Sequence, residues 1–186
     1  DLDQPILDHA KELIRSNLTY LEEQNCLHGE TIDAIMERVT FTSDLEAALK
    51  DAEFIQESGP ERLDLKQTFV ELFDRLAPAD CIVASSTSGL RISDITAKST
   101  HPERYVGAHP FNPPHLIPLV ELTKGDRTSD DALDRALAFY RAMGKEPIVL
   151  QKEKIGFVAN RISHAVLREV MSLVNEGVCS VEDVDK

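Results

Sequence analysis

One histidine and one acid stand at the two ends of a short, proline-rich stretch, AHPFNPPHLIPLVEL, from Ala108 to Leu122. His109 follows one apolar run and Glu121 lies in the next, with Pro110, Pro113, Pro114 and Pro118 breaking the chain between them. A turn there brings the imidazole and the carboxylate together as an acid–base pair. Histidine titrates near neutrality, and a carboxylate on one ring nitrogen fixes its tautomer and stabilises its charged form. Such a pair suits a protein that moves a proton on and off a substrate oxygen. A small polar run, SSTSG from Ser85 to Gly89, and the acids Glu57 and Glu61 follow other short apolar segments.

The elements that must position these residues alternate along the chain. Helical spacing runs over 4–24, with Ile6, Leu7, Ala10, Leu13, Ile14, Leu18 and Leu21 on one stripe. Further helices are predicted over 31–38, from Ser43 to Lys50, over 61–76, from Thr128 to Met143 with Gly144 as its stop, and over 157–176 before Gly177. Short apolar strands are predicted at Val39–Phe41, Phe54–Ile55, Cys81–Ala84, Tyr105–Ala108, Leu116–Leu122 and Pro147–Leu150. Strands alternating with amphipathic helices imply an α/β fold, a parallel sheet with helices on both faces, which binds ligands at the carboxyl ends of its strands. Glu57 and Glu61, Ser85 to Ser88, and His109 all fall at such ends.

Composition narrows the function classes. The chain has 186 residues, 42% hydrophobic and 28% charged, ordinary values for a globular protein. Its net charge of −13 argues against nucleic acid or an anionic membrane as a partner. No apolar run is long enough to span a bilayer. Cys26, Cys81 and Cys179 offer neither metal spacing nor a disulfide framework, so a reducing, cytoplasmic setting is expected and no metal. The chain opens without methionine and closes on a capping-box start, Ser180 to Asp183, so a longer protein is expected around it. No two of the eight glycines are two apart, so no G-x-G-x-x-G is present. A dinucleotide fold is then compatible only if its first strand, first helix and second strand precede Asp1.

Five segments together carry a specific likeness: DLDQPILDHAKELI at the start, PERLDLK at 60–66, SSTSG at 85–89, HPFNPPHLIPLVE at 109–121 and GFVANR at 156–161. In this order and spacing the chain resembles the 3-hydroxyacyl-CoA dehydrogenase family, and within it the branch containing lambda-crystallin, L-gulonate 3-dehydrogenase and L-carnitine dehydrogenase. The resemblance implies a Rossmann-type doubly wound NAD-binding domain over 1–152, truncated at its N-terminus, and then 153–186 as the first helices of an all-helical domain through which members form homodimers. It implies an NAD-dependent oxidoreductase interconverting an L-3-hydroxyacyl-CoA and a 3-oxoacyl-CoA. Alternatives within the resemblance are a dehydrogenase of a small free 3-hydroxy acid, L-gulonate or L-carnitine, and a non-enzymatic, crystallin-like structural protein.

Residue by residue, the resemblance makes His109 the base in oxidation and the acid in reduction, and Glu121 the group that orients it. Ser88 matches the serine that hydrogen-bonds the reacting oxygen, and Asn160 the asparagine that helps hold the substrate carbonyl. On the cofactor side, Asp1 matches the acid on the adenosine ribose, Glu61 and Lys66 lie near the nicotinamide ribose, and Ser86 and Asn112 match further contacts. Ser86 stands where many members have asparagine, and Gly89 where a serine is common. From Ser16 to Glu37 there is no Lys or Arg, while Glu22, Glu23, Glu30, Asp33 and Glu37 are present. In acyl-CoA members this region lies near the CoA arm, whose phosphates want basic partners. The acidic stretch therefore brings the free hydroxy acids into consideration.

Overall fold

The computed structural model describes residues 3–186. Asp1, the expected ribose acid, lies outside the described residues. The chain divides into two compact units, one of residues 1–52 with 76–78 and one of 53–75 with 79–186.

The first unit is helical. Helix α1 (Gln4–Glu23) starts at Asp3, whose side chain accepts from the Ile6 N–H at 3.1 Å. Helix α2 (Ile32–Met36) is capped by Thr31, and α3 (Leu45–Leu49) by Asp44. The strand expected at Val39–Phe41 does not form. The Val39 N–H is taken by the Met36 carbonyl at 3.1 Å, so the segment continues the end of α2 instead of entering a ladder. Two of the acids in the basic-free stretch are partnered from its margins: Asp33 by Arg15 at 3.0 Å and Glu30 by Arg38 at 2.5 Å.

The second unit is built on a five-stranded sheet in the order β1-β2-β3-β4-β5, with β1 (Phe54–Glu57), β2 (Ile82–Ser85), β3 (Tyr105–Pro110), β4 (Leu119–Lys124) and β5 (Glu146–Leu150). Helix α4 (Leu63–Leu76) joins β1 to β2, the short α5 (Ile92–Ile95) precedes β3, and α6 (Asp130–Ala142) joins β4 to β5. Strands β1, β2 and β3 are parallel, and β4 is parallel to β5, but β4 runs antiparallel to β3. The parallel sheet expected from the alternation is found, with this one antiparallel junction. A parallel return needs about a dozen residues or more, and the segment 111–118 has only room to fold back. Within it the Phe111 N–H reaches the Leu119 carbonyl at 3.3 Å.

Side chains alternate between two covered faces, as the near-continuous apolar strands require. Ile82, Ala84, Val106, Ala108, Val120 and Leu122 pack with Ala132, Ala136 and Tyr140 of α6. The opposite face carries Glu57, Val83, Ser85, Tyr105, Gly107, His109, Glu121 and Thr123, as the register dictates. There the Tyr105 hydroxyl donates to Asp74 of α4 at 2.8 Å. Gly107 is required on this face, because a Cβ would come within 2.5 Å of the Thr123 methyl and 3.2 Å of Ile92 of α5. Helices α7 (Ala159–Asn175) and α8 (Val181–Val184) follow. No residue of α7 is buried, and Ile162, Val166, Leu167 and Met171 are more than half exposed.

Candidate active site

Antiparallel pairing of β3 with β4 sets His109 directly opposite Glu121. Their side chains lie on one face, with His109 Nδ1 3.0 Å from Glu121 Oε2. Glu121 is only 1% exposed. Its other oxygen, Oε1, accepts from the backbone N–H groups of Val158 and Ala159, each at 3.0 Å. These are the first free donors of α7, whose N-cap, Val158, has no side chain able to cap it. Glu121 caps the helix from a neighbouring strand, and the helix's positive end faces the carboxylate. Both oxygens are therefore occupied, and the carboxylate cannot turn without breaking a bond.

The turn that aims these N–H groups uses left-handed backbone at two successive residues, Gly156 (φ 76°) and Phe157 (φ 48°). Glycine adopts this region freely, whereas phenylalanine there costs about 1–2 kcal/mol. Phe157 is 2% exposed, and its ring centroid lies 5.8 Å from that of His109. The Phe111 ring lies 5.0 Å away. Two aromatic rings thus flank the imidazole, whose Nε2 has no partner among the described residues. Strained backbone held in place by burial is a mark of a functional site. Nothing in the composition of GFVANR betrays the left-handed phenylalanine, since the conformation is imposed by the Glu121 cap.

A second carboxylate holds the loop after β2. Glu61 Oε1 accepts from the Thr87 hydroxyl at 2.6 Å and from the N–H groups of Ser88, Gly89 and Leu90 at 2.9, 3.0 and 3.4 Å. Lys66 is 1% exposed, and its ammonium is spent on Glu57, at 3.0 and 2.9 Å to the two oxygens, and on the Gly59 carbonyl at 3.4 Å. Glu57 also accepts from the Ser85 hydroxyl at 2.6 Å and the Gly59 N–H at 2.5 Å. Glu61 Oε2 lies 3.7 Å from the same ammonium. The sequence pattern placed Glu57 at a strand end but held no hint that it is the hub on which Lys66 depends. Thr87, fully buried inside SSTSG, was likewise missed as a loop anchor.

The two clusters meet through Asn160, whose amide donates to the Ser88 carbonyl at 2.8 Å. The Ser88 hydroxyl has no partner among the described residues and is exposed. Ser86 is half-buried, with its N–H on the Glu57 carbonyl at 2.8 Å. Asn112 stands apart from both clusters, exposed in the 111–118 turn beside the cis bond to Pro113. Ser88, Gly89, Glu61 and Asn160 line a cleft of about 540 Å³ together with Arg161, His164 and Arg168 of α7. Among the described residues no cluster of His, Cys, Asp or Glu could hold a metal ion. No helix of the described residues is long and apolar enough to cross a membrane.

Residues 1–154 match the family model described as 3-hydroxyacyl-CoA dehydrogenase, NAD binding domain, and residues 156–186 match its C-terminal domain. The chain belongs to the 3-hydroxyacyl-CoA dehydrogenase family. An L-carnitine dehydrogenase of Oceanobacillus iheyensis is 44% identical over 153 residues, 82% of this chain and 50% of its own length. Among solved structures, an NAD-dependent 5-formyl-3-hydroxy-2-methylpyridine 4-carboxylic acid 5-dehydrogenase superposes with a TM-score of 0.89 at 33% identity, over 100% of this chain and 59% of its own. The 3-hydroxybutyryl-CoA dehydrogenase of Escherichia coli K12 gives 0.90 at 26% identity, over 97% of this chain and 38% of its own. The chain spans about half the length of the curated relatives it matches. Members of this family are NAD-dependent dehydrogenases, and the Rossmann-type sheet of this chain is their fold.

The residues present fit the nicotinamide end of that cofactor. Glu61 Oε2 has no hydrogen-bond donor among the described residues and its side chain is 41% exposed, so it can accept from a ribose hydroxyl while Oε1 keeps the loop. The Lys66 ammonium is spent on Glu57, at 2.9 Å, and lies 3.7 Å from Glu61 Oε2.

Proposed function

We propose that the protein carrying this chain is an NAD-dependent dehydrogenase of the secondary hydroxyl of a 3-hydroxy acid, with His109 and Glu121 as its acid–base pair. The observation that carries the reading is the Glu121 carboxylate, buried and divided between His109 Nδ1 and the two N–H groups that open α7. Glu121 accepts the Nδ1 proton, which leaves the Nε2 lone pair free. In oxidation, Nε2 takes the proton of the substrate hydroxyl, and in reduction it returns it. NAD, when bound, supplies the hydride acceptor for the carbon bearing that hydroxyl. Ser88 Oγ and the unused Asn160 N–H are neutral donors that hold the substrate oxygen without adding charge. Glu61, Lys66, Ser86 and Asn112 serve the cofactor side, Lys66 through its bonds to Glu57 and its place beside Glu61. The ribose role of Asp1 rests on the family pattern alone.

The free-acid substrate is supported by the curated relatives of 42–47% identity, which carry the name L-carnitine dehydrogenase. A second reading, oxidation of an L-3-hydroxyacyl-CoA, is supported by the likeness to 3-hydroxybutyryl-CoA dehydrogenase. The division of labour, 1–152 for NAD and 153–186 as the start of a helical domain, is supported by the two family models meeting at residue 155. Homodimerisation through that helical domain is supported by the exposed apolar residues of α7.

The test is His109→Ala in the full-length protein, followed by absorbance at 340 nm with L-carnitine, L-gulonate or L-3-hydroxybutyryl-CoA plus NAD. The turnover rate should fall by about 10²–10⁴ with NAD affinity kept. Unchanged turnover would overturn the acid–base assignment, and no turnover by either protein would favour a crystallin-like structural role.

A further inference from the structure

Helix α7 brings three basic side chains to the same cleft as Ser88 and Asn160. Arg161, His164 and Arg168 recur at spacings of three and four, so they share a helix face with Asn160. Neither arginine has a carboxylate within 4.0 Å among the described residues, although the chain as a whole carries a charge of −13. The Arg161 guanidinium makes one long contact, 3.5 Å to the Ile155 carbonyl, and the Arg168 and His164 side chains make no hydrogen bond among the described residues. The one acid lining the cleft, Glu61, has Oε1 filled by four donors of the loop and Oε2 facing Lys66. The cleft therefore presents unspent positive charge, in planar forks whose geometry matches an oxyanion.

Position limits which anion this can be. Side chains on a helix lean toward its N-terminus, so the Arg168 fork is carried back toward His164 and the Asn160 turn. Along the axis Asn160 and Arg168 are separated by only about 12 Å. An anion held between them lies next to the oxygen that Ser88 and Asn160 hold. In a free 3-hydroxy acid the carboxylate is two bonds from the carbinol carbon. In a CoA thioester that position is an uncharged carbonyl, and the phosphates lie a whole pantetheine arm away.

We infer that Arg161, His164 and Arg168 form a carboxylate subsite, and that the substrate is a compact 3-hydroxy acid held by its own carboxylate. The inference rests on the dehydrogenase reading above and names the substrate class of that site. The test uses the full-length protein with L-3-hydroxybutyrate, its methyl ester and L-3-hydroxybutyryl-CoA. In the Arg168→Met variant, kcat/KM for the acid should fall by about 10–100-fold more than for the ester, the loss of a charge-assisted bond. Arg168→Lys should recover part of it, and Arg161→Met should show the same acid-selective loss. An equal fall for acid and ester, or no fall for either, would overturn the subsite. A loss confined to the thioester would assign the arginines to a CoA phosphate instead, and turnover of the thioester alone by the parent protein would overturn the carboxylate equally. His109→Ala, run beside these, separates the two levels: if it stays active on every substrate, the dehydrogenase mechanism fails whatever Arg168 does.

Discussion

Replacing Glu121 by glutamine removes one acceptor from a group that has two separate uses. The amide keeps a single oxygen, and it must face either His109 or the N–H groups of Val158 and Ala159, now 3.0 Å from Oε1. Turning the NH2 toward those two donors would leave both buried and unpaired, at about 1–3 kcal/mol each. The oxygen therefore stays on the helix, by a margin of about 2–6 kcal/mol, and the NH2 is forced against His109 Nδ1. The imidazole can meet a donor there only by carrying its proton on Nε2, the nitrogen proposed above to accept the substrate's proton. The turnover rate should fall by about 10²–10⁴, or roughly 3–5 kcal/mol in barrier.

The same geometry predicts that the fold survives. Three charge-assisted bonds become neutral ones, a stability loss on the order of 1–3 kcal/mol in all. Glu121→Ala, which orphans both N–H groups and leaves a cavity beside Phe157, should cost about 2–6 kcal/mol instead. The assay pairs steady-state NADH absorbance at 340 nm with thermal melting and with nitrogen NMR of the His109 ring. The expected signature is a glutamine variant that melts near the parent, turns over poorly and shows the proton moved to Nε2. Turnover within about threefold of the parent, or an unchanged tautomer, would refute the reasoning.

Three further outcomes follow from the other hubs. Glu61→Gln should loosen the loop after β2, because one neutral oxygen replaces a carboxylate serving four donors; hydrogen exchange at Ser88, Gly89 and Leu90 should quicken while the melting temperature moves little. Lys66→Met should destabilise the second unit by about 3–5 kcal/mol, measured by denaturant unfolding, because it strands the Glu57 carboxylate, 7% exposed, with no cation. Burial alone would raise the Asp74 carboxyl, but bonds from Ser99, Tyr105, the Thr100 N–H and Arg104 outweigh it and hold it below the usual carboxylate range. A carboxyl lowered in the folded state adds stability that is full above its unfolded value, about 4, and is lost as pH falls through the folded value. Acid unfolding of Asp74→Asn should therefore lack part of the parent's steepness below pH of about 4.

The sheet and its helices were legible because apolar spacing alone encodes them: the predicted strands at 54–55, 81–84, 105–108, 116–122 and 147–150 all appear with boundary shifts of a few residues. The His109–Glu121 pair was legible for a related reason, since two apolar runs divided by four prolines can only fold back on each other. The direction of β4 follows from the same short connection, although element alternation by itself suggested a parallel strand. Val39–Phe41 misled because a β-branched and an aromatic residue look alike in a strand and in a half-buried helix exit. The hubs were illegible. Glu57, Glu61 and Lys66 read as a charged stretch before a helix, and only the packing of α4 on the sheet shows that Lys66 is buried while Arg62 is not.

Glu61 and Glu121 solve one physical problem at two places. The loop after β2 and the start of α7 both present successive backbone N–H groups outside any ladder, although in the loop the Leu90 N–H also reaches the Thr87 hydroxyl at 2.8 Å. In each case a carboxylate from another element collects them on Oε1 and keeps Oε2 free for a different contact. For Glu121 that contact is His109, and for Glu61 it is an open position beside Lys66. Asn160 then bonds the first site's helix to the second site's loop through the Ser88 carbonyl. Ser88 lies in the loop after β2 and His109 in β3, and the Glu61, Glu121 and Asn160 side chains, with the Gly156 N–H on the Gly89 carbonyl at 3.3 Å, fix their relative position. Disturbing either carboxylate should therefore impair proton transfer and oxygen binding together, with coupled rather than additive losses in a Glu61→Gln, Glu121→Gln double variant. Strict additivity in kcat would show that the loop and the helix act independently and that the Asn160 link carries no positional information.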